Sequence, residues 1–216
     1  GFSIFFLALL GYRVPLGRIM SFLAILYVQI FFLFLCYMSI SSHNDVFYPT
    51  INNSAVIRAL LSDRIWEKKI TNLFKKFIKP NQIVIDCGSY IGTHTLTMSK
   101  LAGKVYAFEP QPLIAKCIRK TLQTNMIENV VFTEVACSNQ IGVDNIFTNN
   151  DGDASLSGIR DHKFTTNYVC YINTLDNLIP NNERISLIKI DVEGSEWEVL
   201  SGAKNIIKSS RPIIIL

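Results

Sequence analysis

Three short stretches of this sequence gather residues that could hold a charged ligand or move a proton. The first is Asp86-Cys87-Gly88-Ser89-Tyr90-Ile91-Gly92. Gly88 permits a tight backbone turn, Gly92 lets a following helix begin close to a ligand, and the acid that leads in can face a cation. The middle glycine of Gly-x-Gly-x-x-Gly is missing. A loop led by an acid suits a cofactor carrying an ammonium and a sulfonium better than one carrying a pyrophosphate. The second stretch, Ala107-Phe108-Glu109-Pro110, ends in a carboxylate that can accept both hydroxyls of a ribose. Its spacing from the glycine loop also fits dinucleotide folds, so Glu109 points to an adenosine-type cofactor without choosing one. Its other reading is an acid before Gln111 at a helix N-terminus, which the helix dipole favours.

The third stretch is Leu187-Ile188-Lys189-Ile190-Asp191-Val192-Glu193-Gly194-Ser195-Glu196. Side chains alternate along a strand, so Lys189 and Asp191 share a face and are expected to form a buried ion pair. Asp191 and Glu193 are the candidates for a base or an acceptor-orienting group. His94, at the start of the helix after the glycine loop, is a competitor because its ordinary pKa lies near neutrality.

These stretches need strands that end where they begin. After Pro80, short β-branched runs alternate with helical stretches, which predicts an α/β fold with a doubly wound, mostly parallel sheet. Strands are expected at Ile83–Asp86, Lys104–Phe108, Val130–Val135, Leu187–Asp191 and Pro212–Leu216, and helices at Thr93–Leu101, Gln111–Asn125 and Glu196–Ile207. Between Asn139 and Asn182 the text is polar and turn-rich, with short strands expected at Val143–Thr148 and Tyr168–Ile172. A pocket for a second ligand is expected to be lined by this variable stretch together with strands that would follow Leu216. In open α/β sheets ligands bind beyond the carboxyl ends of the strands, where the strand order reverses.

Upstream the composition changes. The chain has 216 residues, 49% of them hydrophobic, which leaves room for one catalytic domain beside an apolar segment. Residues 19–40 carry no charge and are long enough to cross a bilayer, so they read as a membrane span rather than a cleaved signal peptide. Residues 1–18 form its flank. Arg13 and Arg18 favour a cytosolic N-terminus, whereas the basic residues from Arg58 to Lys79 and the need for a cofactor favour a cytosolic catalytic domain, the orientation expected here. Asn52-Asn53-Ser54 would be a glycosylation acceptor on the other side of the membrane. Residues 41–80 are expected to form a linker and, from Ala55 to Lys79, one amphipathic helix ended by Pro80 with its lysines in solvent. The formal charge of +4 is modest and locally concentrated, so nucleic acid is not an expected partner. The five cysteines are widely separated, and neither a disulfide framework nor a metal site is expected.

From about Gln82 to Leu216 the sequence resembles the FkbM-type methyltransferase family. The resemblance is carried in order by the Asp86–Gly92 loop, Phe108-Glu109-Pro110, Asn125, Thr174-Leu175-Asp176, the run Lys189–Gly194, and Val199-Leu200-Ser201-Gly202-Ala203. It implies a class I, Rossmann-like methyltransferase that uses S-adenosylmethionine, with a hydroxyl oxygen of a small molecule or glycan as the methyl acceptor. The cofactor-binding set is then Asp86, Gly88, Ser89, Tyr90, Gly92, Glu109, Pro110 and Ala136, the last just beyond the third strand. Tyr90 stands where the family usually has Asn. The chain stops at the counterpart of the fifth strand, so residues 81–216 are expected to form a domain lacking its last strands. Two other classes fit less well: a membrane-anchored cofactor-binding module without turnover, and a nicotinamide-dependent oxidoreductase, which would need a pyrophosphate loop.

Overall fold

Short β-branched runs do become the core strands. The computed structural model describes residues 39–49, 55–148, 154–156 and 166–216, together with Leu26. Five parallel strands, β3 (Ile83–Cys87), β4 (Lys104–Phe108), β5 (Val130–Thr133), β10 (Ile185–Ile190) and β11 (Ile213–Ile215), form a sheet in the order β11-β10-β3-β4-β5. The chain moves outward from β3 through β4 to β5, then returns to the other side of β3 as β10 and β11. The strand order therefore reverses between β3 and β10, and a crevice opens at their carboxyl ends. A second sheet, in the order β6-β9-β7-β8, is built from β6 (Ala136–Cys137), β7 (Gly142–Thr148), β8 (Ala154–Leu156) and β9 (Thr166–Asn173).

Alternation along the strands sends apolar side chains to both faces. Ile85, Cys87, Tyr106, Phe108, Ile188 and Ile190 pack with Val199, Ala203 and Ile206 of α6 (Glu196–Ser201), its connecting turn and α7 (Lys204–Ser210). On the opposite face, Val84, Val105 and Leu187 pack with Met98 of α3 (Thr93–Ser99) and Phe74 of α2 (Lys68–Phe77). A neighbouring cluster joins Ile91 and Leu96 to Ile114, Ile118 and Leu122 of α4 (Pro112–Thr124). The expected doubly wound α/β architecture with a parallel central sheet is present. The helix expected from Glu196 to Ile207 is two helices, because the chain turns at Gly202, where a Cβ would lie 2.0 Å from the Ser138 carbonyl oxygen.

The amphipathic helix expected over Ala55–Lys79 is also two helices, α1 (Ala55–Leu61) and α2. The break is a helix-ending turn: Asp63 adopts φ 49°, its N–H donates to the Leu60 carbonyl, and the Arg64 N–H donates to the Ala59 carbonyl. Rather than linking freely, this segment packs on the sheet, and Phe74 is fully buried. Ahead of it a hairpin, β1 (Ile40–Ser42) and β2 (Asp45–Phe47), docks on α4. The Asn125 amide does the docking, accepting from the Val46 N–H at 2.9 Å and donating to the Val46 carbonyl at 2.6 Å, as a strand partner would.

The expected span at residues 19–40 lies outside the described residues, apart from Leu26, Ser39 and Ile40. Its far boundary is corrected, because Ile40 opens β1. Among the described residues no helix is long and apolar enough to cross a membrane. The glycosylation pattern at Asn52 and the loop residues Asn149–Asp153 also lie outside them.

Candidate functional site

The crevice between β3 and β10 brings the first and third sequence stretches together. Asp86 and Lys189 are register partners on adjacent parallel strands, so their side chains leave the same face side by side. Lys189 Nζ lies 3.2 Å from Asp86 Oδ1 and 3.2 Å from Asp191 Oδ2, and donates to the Gly88 carbonyl at 2.8 Å. Asp86 is completely buried, and its other oxygen accepts from Thr95 Oγ1 at 2.6 Å. The expected Lys189–Asp191 pair is therefore only half of the arrangement, and it is not a buried pair. Asp191 is largely exposed, while the buried partner of Lys189 is Asp86. Burial pushes the Lys189 ammonium down, but the two carboxylates outweigh it and leave its pKa raised.

The glycine loop sits against this cluster. Gly88 has φ 77°, and a Cβ there would lie 1.9 Å from the Asp191 carbonyl oxygen, so any other residue would part the β3 and β10 ends. Tyr90 also takes a left-handed conformation, at φ 48°. Asn tolerates that region better than a bulky residue does, which gives a physical reason for Asn at the corresponding family position. Gly92, at φ 94°, precedes α3 as expected. The Ser89 hydroxyl donates to the carbonyls of Asp86 and Phe108, so it holds the loop closed.

Glu109 ends β4 beside the loop. Its Oε2 accepts from the Tyr90 N–H and its Oε1 from the Gln111 N–H, both at 3.0 Å. Burial pushes its carboxyl up to about 7, against these two donors, which favour the charged form. A carboxylate offers about four lone-pair sites; the two backbone donors and the Gln111 side chain take three of them, which leaves room for one ligand hydroxyl. Pro110 follows at the start of the α4 approach, and Ala136 is buried in β6, paired with Ile172.

Glu193 is exposed at φ 53°, next to Gly194 at φ 98°. Its neighbour Glu196 has a different task, accepting from the Gly194 N–H at 3.1 Å and so fixing this turn. The acids clustered in sequence thus separate into one turn-holder and two, Asp191 and Glu193, at the crevice rim.

His94 is brought to the site from α3. It is buried edge-on against Phe74, with ring centroids 5.3 Å apart. Its Nε2 makes no hydrogen bond and lies 3.5 Å from Glu67 Oε2. Burial, aided by Lys189, pushes the imidazole down to about 4 despite the pull of Asp86 and Asp191. Glu67 itself did not emerge from the sequence. It takes φ 41° before α2 and sits within electrostatic reach of Asp191 and Lys189; burial first, and Asp191 second, raise its pKa. Two residues in a sparsely populated backbone region, Glu67 and Tyr90, therefore flank the crevice, where such strain often marks function. The signal for Glu67 was the polar run Ser62-Asp63-Arg64 interrupting the apolar steps of the helix expected over Ala55–Lys79.

A parallel sheet whose order reverses beside an acid-led glycine loop, with a buried carboxylate at the next strand end, is the α/β fold of the methyltransferase kind. Residues 86–216 match the model of the methyltransferase FkbM domain. The chain belongs to the FkbM methyltransferase family. A curated relative, the hexuronic acid methyltransferase AglP of Haloferax volcanii, is 28% identical over 158 residues, which cover 69% of this chain and 61% of the relative. The chain thus spans less than two thirds of that relative's length. Among solved structures, methyltransferase FkbM from Methylobacillus flagellatus is 16% identical, with a TM-score of 0.46 over 74% of this chain and 41% of its own. An rRNA methylase from Streptococcus thermophilus is 18% identical, with a TM-score of 0.42 over 65% and 61% of the two chains.

Proposed function

We propose that the protein transfers a methyl group from S-adenosylmethionine to a hydroxyl oxygen of a sugar or sugar-like small molecule. The carrying observation is the acidic strand-end set, Asp86, Glu109 and Asp191, around a loop that must be glycine at position 88. The acceptor class is supported by the hexuronic acid named for the Haloferax volcanii relative.

The donor set fits the cofactor. Glu109 keeps acceptor capacity for a ribose hydroxyl, and the exposed Asp191 carboxylate offers negative charge at the rim, where a cation would lie. When bound, the cofactor supplies an electrophilic methyl group on a sulfonium. The residues of this chain then have to align the acceptor hydroxyl and take up its proton. Asp191 is assigned that proton, with Lys189 fixing its orientation at 3.2 Å and Glu193 beside it at the rim. His94 is assigned an orienting role, since its Nε2 is buried and its pKa lies well below the working range of a base.

The test is transfer of labelled methyl from S-adenosylmethionine into cell-extract glycans by the full-length protein. Asp191→Asn is expected to lower turnover by about 100-fold or more, with S-adenosylhomocysteine binding retained. Full turnover in both Asp191→Asn and Glu193→Gln would remove the rim acids from the mechanism. We further propose that the uncharged apolar run from residue 19 up to β1 tethers the catalytic domain to the cytosolic side of a membrane. Release of the full-length protein from membranes by alkaline carbonate would count against the tether.

A further inference from the structure

A cavity of about 260 Å³ lies between the β1–β2 hairpin, the α1–α2 turn, α2 and α3, apart from the strand-end acids. That volume is near the roughly 300 Å³ lower end of small-molecule sites, enough for a single ring rather than an extended ligand. Its walls combine the half-buried Trp66 with Thr93 and Thr97, the mixture of a flat apolar surface and polar residues that a sugar ring requires.

The charge around the cavity is uneven. Lys100 is already neutralised, with its ammonium 2.6 Å from both Asp45 oxygens, and His43 lies against Asp63. Arg64 and Lys75 line the same cavity, are exposed, and have no acidic partner among the described residues. Two cations are left facing the space without an anion.

The cavity shares one wall residue with the crevice. His94 belongs to its wall, and Glu67, 3.5 Å from His94, is held in the field of Asp191 and Lys189. A ligand in the cavity would therefore be linked to the Lys189 cluster through His94 and Glu67.

We propose that this cavity is the acceptor site and that its ligand is an anionic sugar, with the ring against Trp66, ring hydroxyls at Thr93 and Thr97, and a carboxylate or phosphate held by Arg64 and Lys75. The proposal rests on the methyltransferase reading above. It places acceptor recognition on the segment before the sheet rather than on the 139–182 stretch.

The experiment follows Trp66 fluorescence in the full chain carrying Trp197→Phe, which removes the other, exposed tryptophan. D-glucuronate, D-glucose 6-phosphate and D-glucose are titrated, with S-adenosylhomocysteine binding measured in parallel. At least one anionic sugar is expected to saturate the signal at a concentration fivefold or more below D-glucose, and the preferred one identifies the anionic group. Adding Arg64→Ala and Lys75→Ala is expected to weaken that sugar at least tenfold while leaving S-adenosylhomocysteine unaffected. The proposal is overturned if S-adenosylhomocysteine binds but neither anionic sugar saturates, or if the double variant binds the anionic sugar as tightly as its parent. Failure of S-adenosylhomocysteine to bind the parent would instead overturn the underlying methyltransferase reading, and the acceptor site with it.

Discussion

Lys189 is the residue on which the crevice depends, because it neutralises a carboxylate that has no access to water. Removing one partner of such a pair leaves a buried, uncompensated charge, at a cost of roughly 3–5 kcal/mol. Lys189→Met is expected to lose stability on that scale in urea unfolding, while Asp191→Asn, which leaves the buried pair intact, is expected to lose much less. Two other buried groups act in opposite directions with pH. Glu109 has a raised pKa of about 7 against an ordinary 4.5, so its contribution is full below about 4.5 and is lost as pH rises through about 7. His94 is depressed from 6.5 to about 4, so its contribution is full above about 6.5 and is lost as pH falls through about 4. The two slopes oppose each other over most of the range, which predicts a nearly flat stability curve there for the native chain. In a His94→Gln variant the falling slope of Glu109, which the raised carboxyl of Glu67 reinforces, is no longer opposed, and unfolding free energy is expected to fall steadily from about pH 4.5 to 7. A curve as flat as that of the native chain would show that Glu109 is ionised throughout.

At the scale of elements, several residues that carry the family resemblance fasten helices and a hairpin. Thr174 caps α5 (Leu175–Leu178), accepting from the Asn177 N–H at 3.2 Å. The Asp176 carboxylate reaches outside its own helix and accepts from the N–H groups of Asn205 and Ile206, both at 2.9 Å, satisfying the open start of α7. Its own N–H donates to the Gly202 carbonyl, so Thr174-Leu175-Asp176 and Val199–Ala203 form one interlocked joint. Asp176→Ala is expected to cost about 1 kcal/mol, the usual loss of a cap, with faster hydrogen exchange confined to the first turn of α7. Asn125 does the corresponding work for the β1–β2 hairpin. Strand positions were legible because β-branched runs between turn residues have few other options, and Lys104–Phe108 matches residue for residue. The α1–α2 break was harder to see, since Asp63 makes its left-handed turn without the glycine or proline that usually marks one.

Over the whole molecule, the segment before the glycine loop is part of the domain and not a tether to it. Phe74 packs against Val84, Met98 and Val105 and has no exposed surface, so Phe74→Ala is expected to destabilise the described unit by about 3–5 kcal/mol in a single cooperative unfolding transition. Separate transitions for this segment and the sheet would contradict that integration. What the sequence determined by itself was local: strand and helix types, the acid-led loop, the carboxylate after β4, and the Lys189–Asp191 pairing, all of which follow from periodicities of two or three to four residues. What only the tertiary structure decided were contacts between distant segments. The Asp86–Lys189 pair depends on the register of β10 against β3, and the positions of Glu67 near the crevice and of Trp66 and Arg64 in the cavity depend on how α2 packs on the sheet. No periodicity encodes such pairings, because they are set by burial of two apolar faces against each other, which a linear pattern records only one face at a time.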